Sequence, residues 1–286
     1  MNRRCPPKSK RNMFSFGICA VLVAGVWVAN APAADAEPAK QPAPEFTAKY
    51  VAKPPALTGH MDDPAWKTAA PTSAFVAPFP PGDTSVAGKP EYATTARVLW
   101  DEKNIYVAFE CRQPGPIFST MQNHDDKLYE QDVAEVFMDV GTDNTQYAEL
   151  QASPKGITGD YYHRWSPAPT FPADKLDWAQ MKNHQTKIEW DLKGFRAAAS
   201  VLEEDGKQAG WIVEMAIPME EILVMRELPG QLNAGQTFRA NFIRYIWLPG
   251  AKPEDKRLHR QLSWSPVVTG CPHVSPMAMK TILCSK

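Results

Sequence analysis

Residues 129–153, YEQDVAEVFMDVGTDNTQYAELQAS, decide how the chain folds. Side chains alternate across an extended backbone. In the first half Ala134, Val136 and Met138 therefore fall on one side, and Glu135, Phe137 and Asp139 on the other. In the second half Ala148, Leu150 and Ala152 repeat the apolar side, while Tyr147, Glu149 and Gln151 repeat the polar and aromatic one. Between them Gly141-Thr142-Asp143-Asn144 supplies turn residues, so the stretch reads as a hairpin.

The apolar side is the expected core face. Glu135, Tyr147, Glu149 and Gln151 then stand on an open sheet face with Tyr129 at its rim, a set of groups suited to a polyhydroxylated ligand. Antiparallel sheets commonly carry one solvated face, so this pattern alone does not separate a site from ordinary surface.

Working outward, residues 94–100 and 105–111 form two patterned strands, with Ile105, Val107 and Phe109 on one face. Further strands are expected over 156–162, 195–202, 210–218, 262–264 and 278–284, and a short helix over 219–223. The longest strand candidate, 237–247, repeats the hairpin's division: Arg239, Asn241, Tyr245 and Trp247 oppose Phe238, Ala240, Phe242 and Ile246, with Arg244 on the apolar side. Residues 164–194 lack periodicity and carry Trp165, Phe171, Trp178 and Trp190, which suggests a functional loop or an insertion packed on the sheet. Many short strands, little helix and no βαβ alternation predict an all-β, antiparallel β-sandwich of jelly-roll or immunoglobulin-like type.

The N-terminus reads differently. Arg3, Arg4, Lys8, Lys10 and Arg11 precede an uncharged apolar run over 13–28 and then small residues, the pattern of a secretory signal peptide over 1–34. An Ala/Pro-rich linker follows over 35–49, and the sandwich is expected over 50–286. Cleavage leaves no expected membrane span and places the protein outside the cytoplasm, in the periplasm or beyond. It also removes five positive charges, taking the formal net charge from −1 to about −6. Such a surface disfavours a nucleic-acid partner. Cys111, Cys271 and Cys284 remain after export; one disulfide is compatible with that compartment, Cys271 and Cys284 being nearest in sequence. No CxxC or His-rich spacing marks a zinc site, so no metal site is expected.

Read in series, the landmarks resemble the family 9 carbohydrate-binding modules and the broader DOMON-like sandwiches. They are Thr58-Gly59 through Trp66, residues 96–102 with Ile105-Tyr106-Val107, residues 129–139, residues 210–218, Asn241, and Ser263-Trp264-Ser265. The resemblance implies sugar recognition without catalysis, with a ring clamped between aromatics and its hydroxyls bonded by polar side chains. Glu135 takes the position of the ligand-bonding acid, and Tyr129 that of one clamping Trp. The chain departs from the pattern in two places. No Arg stands among Glu149, Leu150 and Gln151, and the second clamping position falls near Pro272-His273. The implied ligand contacts are Tyr129, Glu135, Glu149, Gln151, Asn241 and Tyr245, with Trp165 and His273 as further candidates, and polysaccharide-processing proteins are the implied partners. No cofactor is expected beyond the calcium that some family members bind, for which Asp139, Asp143 and Asn144 offer oxygens.

Other readings stay open on the residues alone. A haem-binding DOMON-like domain would draw axial ligands from His60, His124, His163, His259, His273, Met61, Met121 or Met277. A sandwich that has lost sugar binding would serve a structural or protein-interaction role. An enzyme is not expected: Asp132 and Glu135 are three apart in a strand, point to opposite faces and cannot readily flank one glycosidic bond, and although Glu135 with Glu149 is geometrically possible across the hairpin, nothing else signals an acid/base site.

Overall fold

The edges of the sheet system are set by where patterned strands give way to turns. The computed structural model describes residues 43–78, 85–172, 175, 177–250, 259–267 and 271–286. The expected signal peptide and the beginning of the expected linker lie outside them. Strand pairing already begins at Phe46, inside the stretch expected to be linker.

Among the described residues twelve strands follow one another: β1 (Phe46–Tyr50), β2 (Thr94–Trp100), β3 (Asn104–Arg112), β4 (Val133–Asp139), β5 (Gln146–Ala152), β6 (Thr158–Trp165), β7 (His184–Lys187), β8 (Arg196–Glu204), β9 (Lys207–Pro218), β10 (Thr237–Trp247), β11 (His259–Ser263) and β12 (Lys280–Ser285). One short helix, α1 (Glu220–Val224), follows β9. The pairing order is β7-β6-β5-β4-β10-β12-β1-β2-β3-β9-β8, with β11 on β10. Pairing is antiparallel except around β1, which runs parallel to both β12 and β2.

This ladder folds over on itself, and the two halves bury a common core. Ala134, Val136 and Met138 from β4 share one cluster with Ile105, Val107 and Phe109 from β3 and with Trp211, Val213 and Met215 from β9. Phe109 meets Phe242 edge to face, ring centres 5.7 Å apart, an arrangement worth about 1 kcal/mol beyond area burial. The architecture is an all-β sandwich, and the apolar side of the hairpin is its core face as the alternation predicts.

Two polar anchors tie loops to this frame. Glu214 on β9 accepts from the Thr58 N–H (2.8 Å), the Gly59 N–H and the Trp66 indole N–H, which fixes the 58–66 corner. Gly59 is required there: its φ is +82°, and a Cβ would lie 2.6 Å from the Ala199 carbonyl carbon. Arg244, the charge on the apolar side of β10, is wholly buried. Its guanidinium donates to Thr94 Oγ1, the Arg112 carbonyl and Gln113 Oε1 at 2.7–2.8 Å and lies over the Trp211 ring. Cys111 and Cys284 are buried free thiols, so the Cys271–Cys284 pair is not formed.

Candidate functional site

The polar side of the hairpin is one stripe of a wider face. Register places Glu135 opposite Gln151, Phe137 opposite Glu149, Tyr147 opposite His163, and His163 opposite Thr186. On the other flank β10 sets Asn241 opposite Phe137 and Tyr245 opposite Val133.

Contrary to the open face expected, this surface is roofed. Glu135, Glu149 and Gln151 are 0 % exposed. Val267, Cys271, Val274, Ala278 and Met279 pack with Leu128 and Phe171 over Phe137, Tyr147, Ile243 and Tyr245, forming a second hydrophobic cluster. The physical reason lies in the face's composition. Phe137, Tyr147 and Tyr245 give a covering segment apolar area to bury, while the polar groups between them bond one another and so tolerate loss of water.

Gln151 joins the two carboxylates: its Nε2 donates to Glu135 Oε1 at 2.8 Å and to Glu149 Oε1 at 2.6 Å. Its own Oε1 is buried and receives no hydrogen bond. The second oxygen of Glu149 meets His163 Nε2 at 2.7 Å and His273 Nδ1 at 2.9 Å. Burial alone would raise the Glu149 carboxyl, but the His273 and His163 imidazoles hold it well below its usual range. Behind this group His163 Nδ1 lies 3.2 Å from both His184 Nε2 and Thr186 Oγ1. Tyr147, His163 and His184 stack in sequence, centroids 4.7 and 5.3 Å apart. Burial, then the neighbouring imidazoles, push the His184 pKa down to about 3, so its ring is neutral at pH 7.

The expected residues divide accordingly. Glu135, Glu149, Gln151 and His273 converge. Tyr245 is buried beside them, its hydroxyl pKa raised by burial and then by the Glu135 and Glu149 charges. Tyr129 is half-buried at the margin of the second cluster, on the 3-10 turn Leu128–Glu130. Asn241 is committed elsewhere: its amide donates to the Ser265 carbonyl (3.0 Å) and accepts from the Ser265 N–H (2.9 Å), pinning the loop after β11. Trp165, expected as a stacking surface, is 1 % exposed between Phe171 and His184, so it is a wall of the roofed core.

His184 and Thr186 had no place among the residues expected from sequence. Continuing the alternation from β5 to β6 would have carried Tyr161, His163 and Trp165 onto this face, but the short β7 lay inside an aperiodic stretch. The oxygens considered for calcium are engaged in the turn: Asp139 accepts from the Thr142 and Asn144 N–H groups, and Asp143 pairs with Arg226 at 2.6 Å. Asp132 faces away from Glu135, accepting from Gln113 Nε2 and the Phe118 and Trp247 N–H groups.

The model of the family described as carbohydrate family 9 binding domain-like matches residues 57–237, and the chain belongs to that family. Among curated proteins it is similar to Exoglucanase XynX of Acetivibrio thermocellus, 28 % identical over 185 residues that make up 65 % of this chain and 13 % of that protein. It is also similar to Endo-1,4-beta-xylanase A of Thermoanaerobacterium saccharolyticum, 26 % identical over 168 residues, 59 % of this chain and 11 % of that one. The chain thus spans a small fraction of the length of these relatives. A candidate carbohydrate-binding protein from Bacteroides uniformis shares the fold, with a TM-score of 0.57 at 15 % identity over 84 % of this chain and 98 % of that one.

Proposed function

We propose that this chain is an exported, non-catalytic carbohydrate-binding protein that takes a mono- or oligosaccharide on the polar face of its sandwich. The observation that carries this reading is the array Glu135–Gln151–Glu149, in which Gln151 Oε1 is a buried acceptor without a donor. A sugar hydroxyl is the kind of group that satisfies it. Family membership supports the class of ligand, and the names of the curated relatives, an exoglucanase and an endo-1,4-beta-xylanase, point to glucan and 1,4-beta-xylan chains as first probes. Tyr129 at the margin of the roofed cluster and Tyr245 within it are aromatic rings near this array, and ligand entry requires the 271–279 roof to move. Polysaccharide-processing domains or proteins are the fitting partners. Catalysis is not part of the reading, because the Gln151 amide fills the space between the carboxylates where a glycosidic bond would lie.

The test is calorimetric titration with cello- and xylo-oligosaccharides, comparing wild type with Glu135→Gln. Saturable binding weakened about tenfold or more in the folded variant, the scale of a lost charge-assisted bond, supports the site. The roof over Glu135 and Glu149 favours a second reading, a structural sandwich without sugar binding. Silence toward every glycan from protein with an intact melting transition would select it.

A further inference from the structure

Three donor atoms meet beneath the roof in a way that hydrogen bonding alone does not require. One ligand atom from each of Glu149, His163 and His273 lies within 4.8 Å of the other two, and Glu149 Oε2 meets His163 Nε2 at 2.7 Å and His273 Nδ1 at 2.9 Å. They come from β5, from β6 and from the 3-10 turn Pro272–Val274, elements distant in sequence. We propose that Glu149, His163 and His273 form a binding site for a divalent transition-metal ion of the zinc class.

The donor chemistry fits. Two imidazole nitrogens and one carboxylate oxygen suit borderline metals, whereas calcium and magnesium prefer all-oxygen sets. Zinc–ligand bonds of about 2.0–2.1 Å put tetrahedral ligand atoms about 3.3 Å apart. The present 2.7 and 2.9 Å separations need to open by only roughly half an ångström to reach that spacing.

Charge points the same way. Glu149 is 0 % exposed, and among the described residues its ion-pair partners are the two histidines, with no Lys or Arg. A divalent ion bound there would bring a permanent positive charge to a buried carboxylate that no Lys or Arg among the described residues pairs with. The surroundings already orient the ligands. His163 Nδ1 is held by Thr186 Oγ1 and His184 Nε2, its ring is stacked on Tyr147, and Gln151 Nε2 holds the other Glu149 oxygen. Such outer contacts fix the tautomer and angle of metal-bound histidines. Because His273 belongs to the roof and the other two ligands to the sheet, a bound ion would clasp the roof shut.

The experiment uses the full chain, stripped with chelator and titrated with ZnCl2, with CaCl2 and MgCl2 as controls and Co2+ as an optical reporter. The expected result is one equivalent of zinc, tetrahedral Co2+ absorption, and a melting temperature raised by zinc and unmoved by calcium. His273→Ala, whose side chain is at the margin, and His163→Gln should each weaken zinc about tenfold or more, the scale of even outer-contact losses. His124→Ala, at the separate His124–Asp125–Asp160 group, should leave it unchanged. Absence of stoichiometric zinc in folded wild type, or zinc retained by both site variants, would overturn the proposal. Zinc lost in His124→Ala alone would overturn it too. No sugar enters the assay, so its outcome is independent of the carbohydrate reading.

Discussion

Replacing Gln151 with Met tests whether the polar face is sealed. Met approximates the length of Gln but removes the Nε2 group that bonds Glu135 and Glu149 at 2.8 and 2.6 Å. Hydrogen bonds to charged groups contribute about 1.5–3 kcal/mol each, so the pair amounts to about 3–6 kcal/mol. That is a large fraction of the roughly 5–15 kcal/mol that holds a domain folded. Urea unfolding followed by tryptophan fluorescence should show the midpoint falling with the slope m unchanged. Adding Glu135→Gln to the Gln151→Met variant removes one of the two carboxylate charges that lost their donor, so the double variant should recover at least about 1 kcal/mol relative to additivity, as contacting residues do. A loss below about 1 kcal/mol for Gln151→Met, the value of an ordinary neutral bond, would refute the reasoning. It would mean that water reaches the carboxylates and the roof stands open in solution.

Asp160 provides a pH prediction. Its side chain is fully buried, Oδ1 accepts from the Leu192 N–H, and Oδ2 has no hydrogen bond. Burial, together with the Asp125 and Asp191 carboxylates and against the pull of His124, raises its pKa to about 6. The fold therefore keeps a proton that the unfolded chain releases near pH 4, and this group's contribution to stability falls as pH rises from about 4 to 6. Asp160→Asn should be more stable than wild type by about 3 kcal/mol at pH 7 and equal to it near pH 4, read from denaturant midpoints across that range. Glu214→Gln turns an amide N–H2 toward either the Trp66 indole N–H or the Thr58 and Gly59 N–H groups, leaving donors facing donors. The expected loss is about 2–4 kcal/mol in a thermal or urea melt, and an unchanged melt would show that the 58–66 corner is not held by this carboxylate.

The alternation of residues 133–152 contained the hairpin, its core face and the common face of Glu135, Glu149 and Gln151, because strand periodicity is a local property. The roof was not legible for the opposite reason. Val267 and residues 271–279 have no period, and what draws them over the sheet is apolar area on Phe137, Tyr147 and Tyr245 that becomes contiguous only after folding. The same holds for His163, His184 and His273, which meet through pairings between elements remote along the chain. Trp165 and Asn241 had the chemistry of ligand contacts, but burial and the Ser265 backbone claimed them first.

The parallel pairing of β1 with β12 aligns Phe46 with Ile282 and Lys49 with Ser285. The chain therefore enters β1 at one end of this pair and leaves β12 at the other. Tension applied across the domain would load these bonds in shear, all sharing the force, whereas the β4–β5 hairpin pulled at its open end would unzip bond by bond. The join between first and last strands is thus oriented as a mechanical clamp, and under load the rate at which that clamp slides would set how long the domain survives.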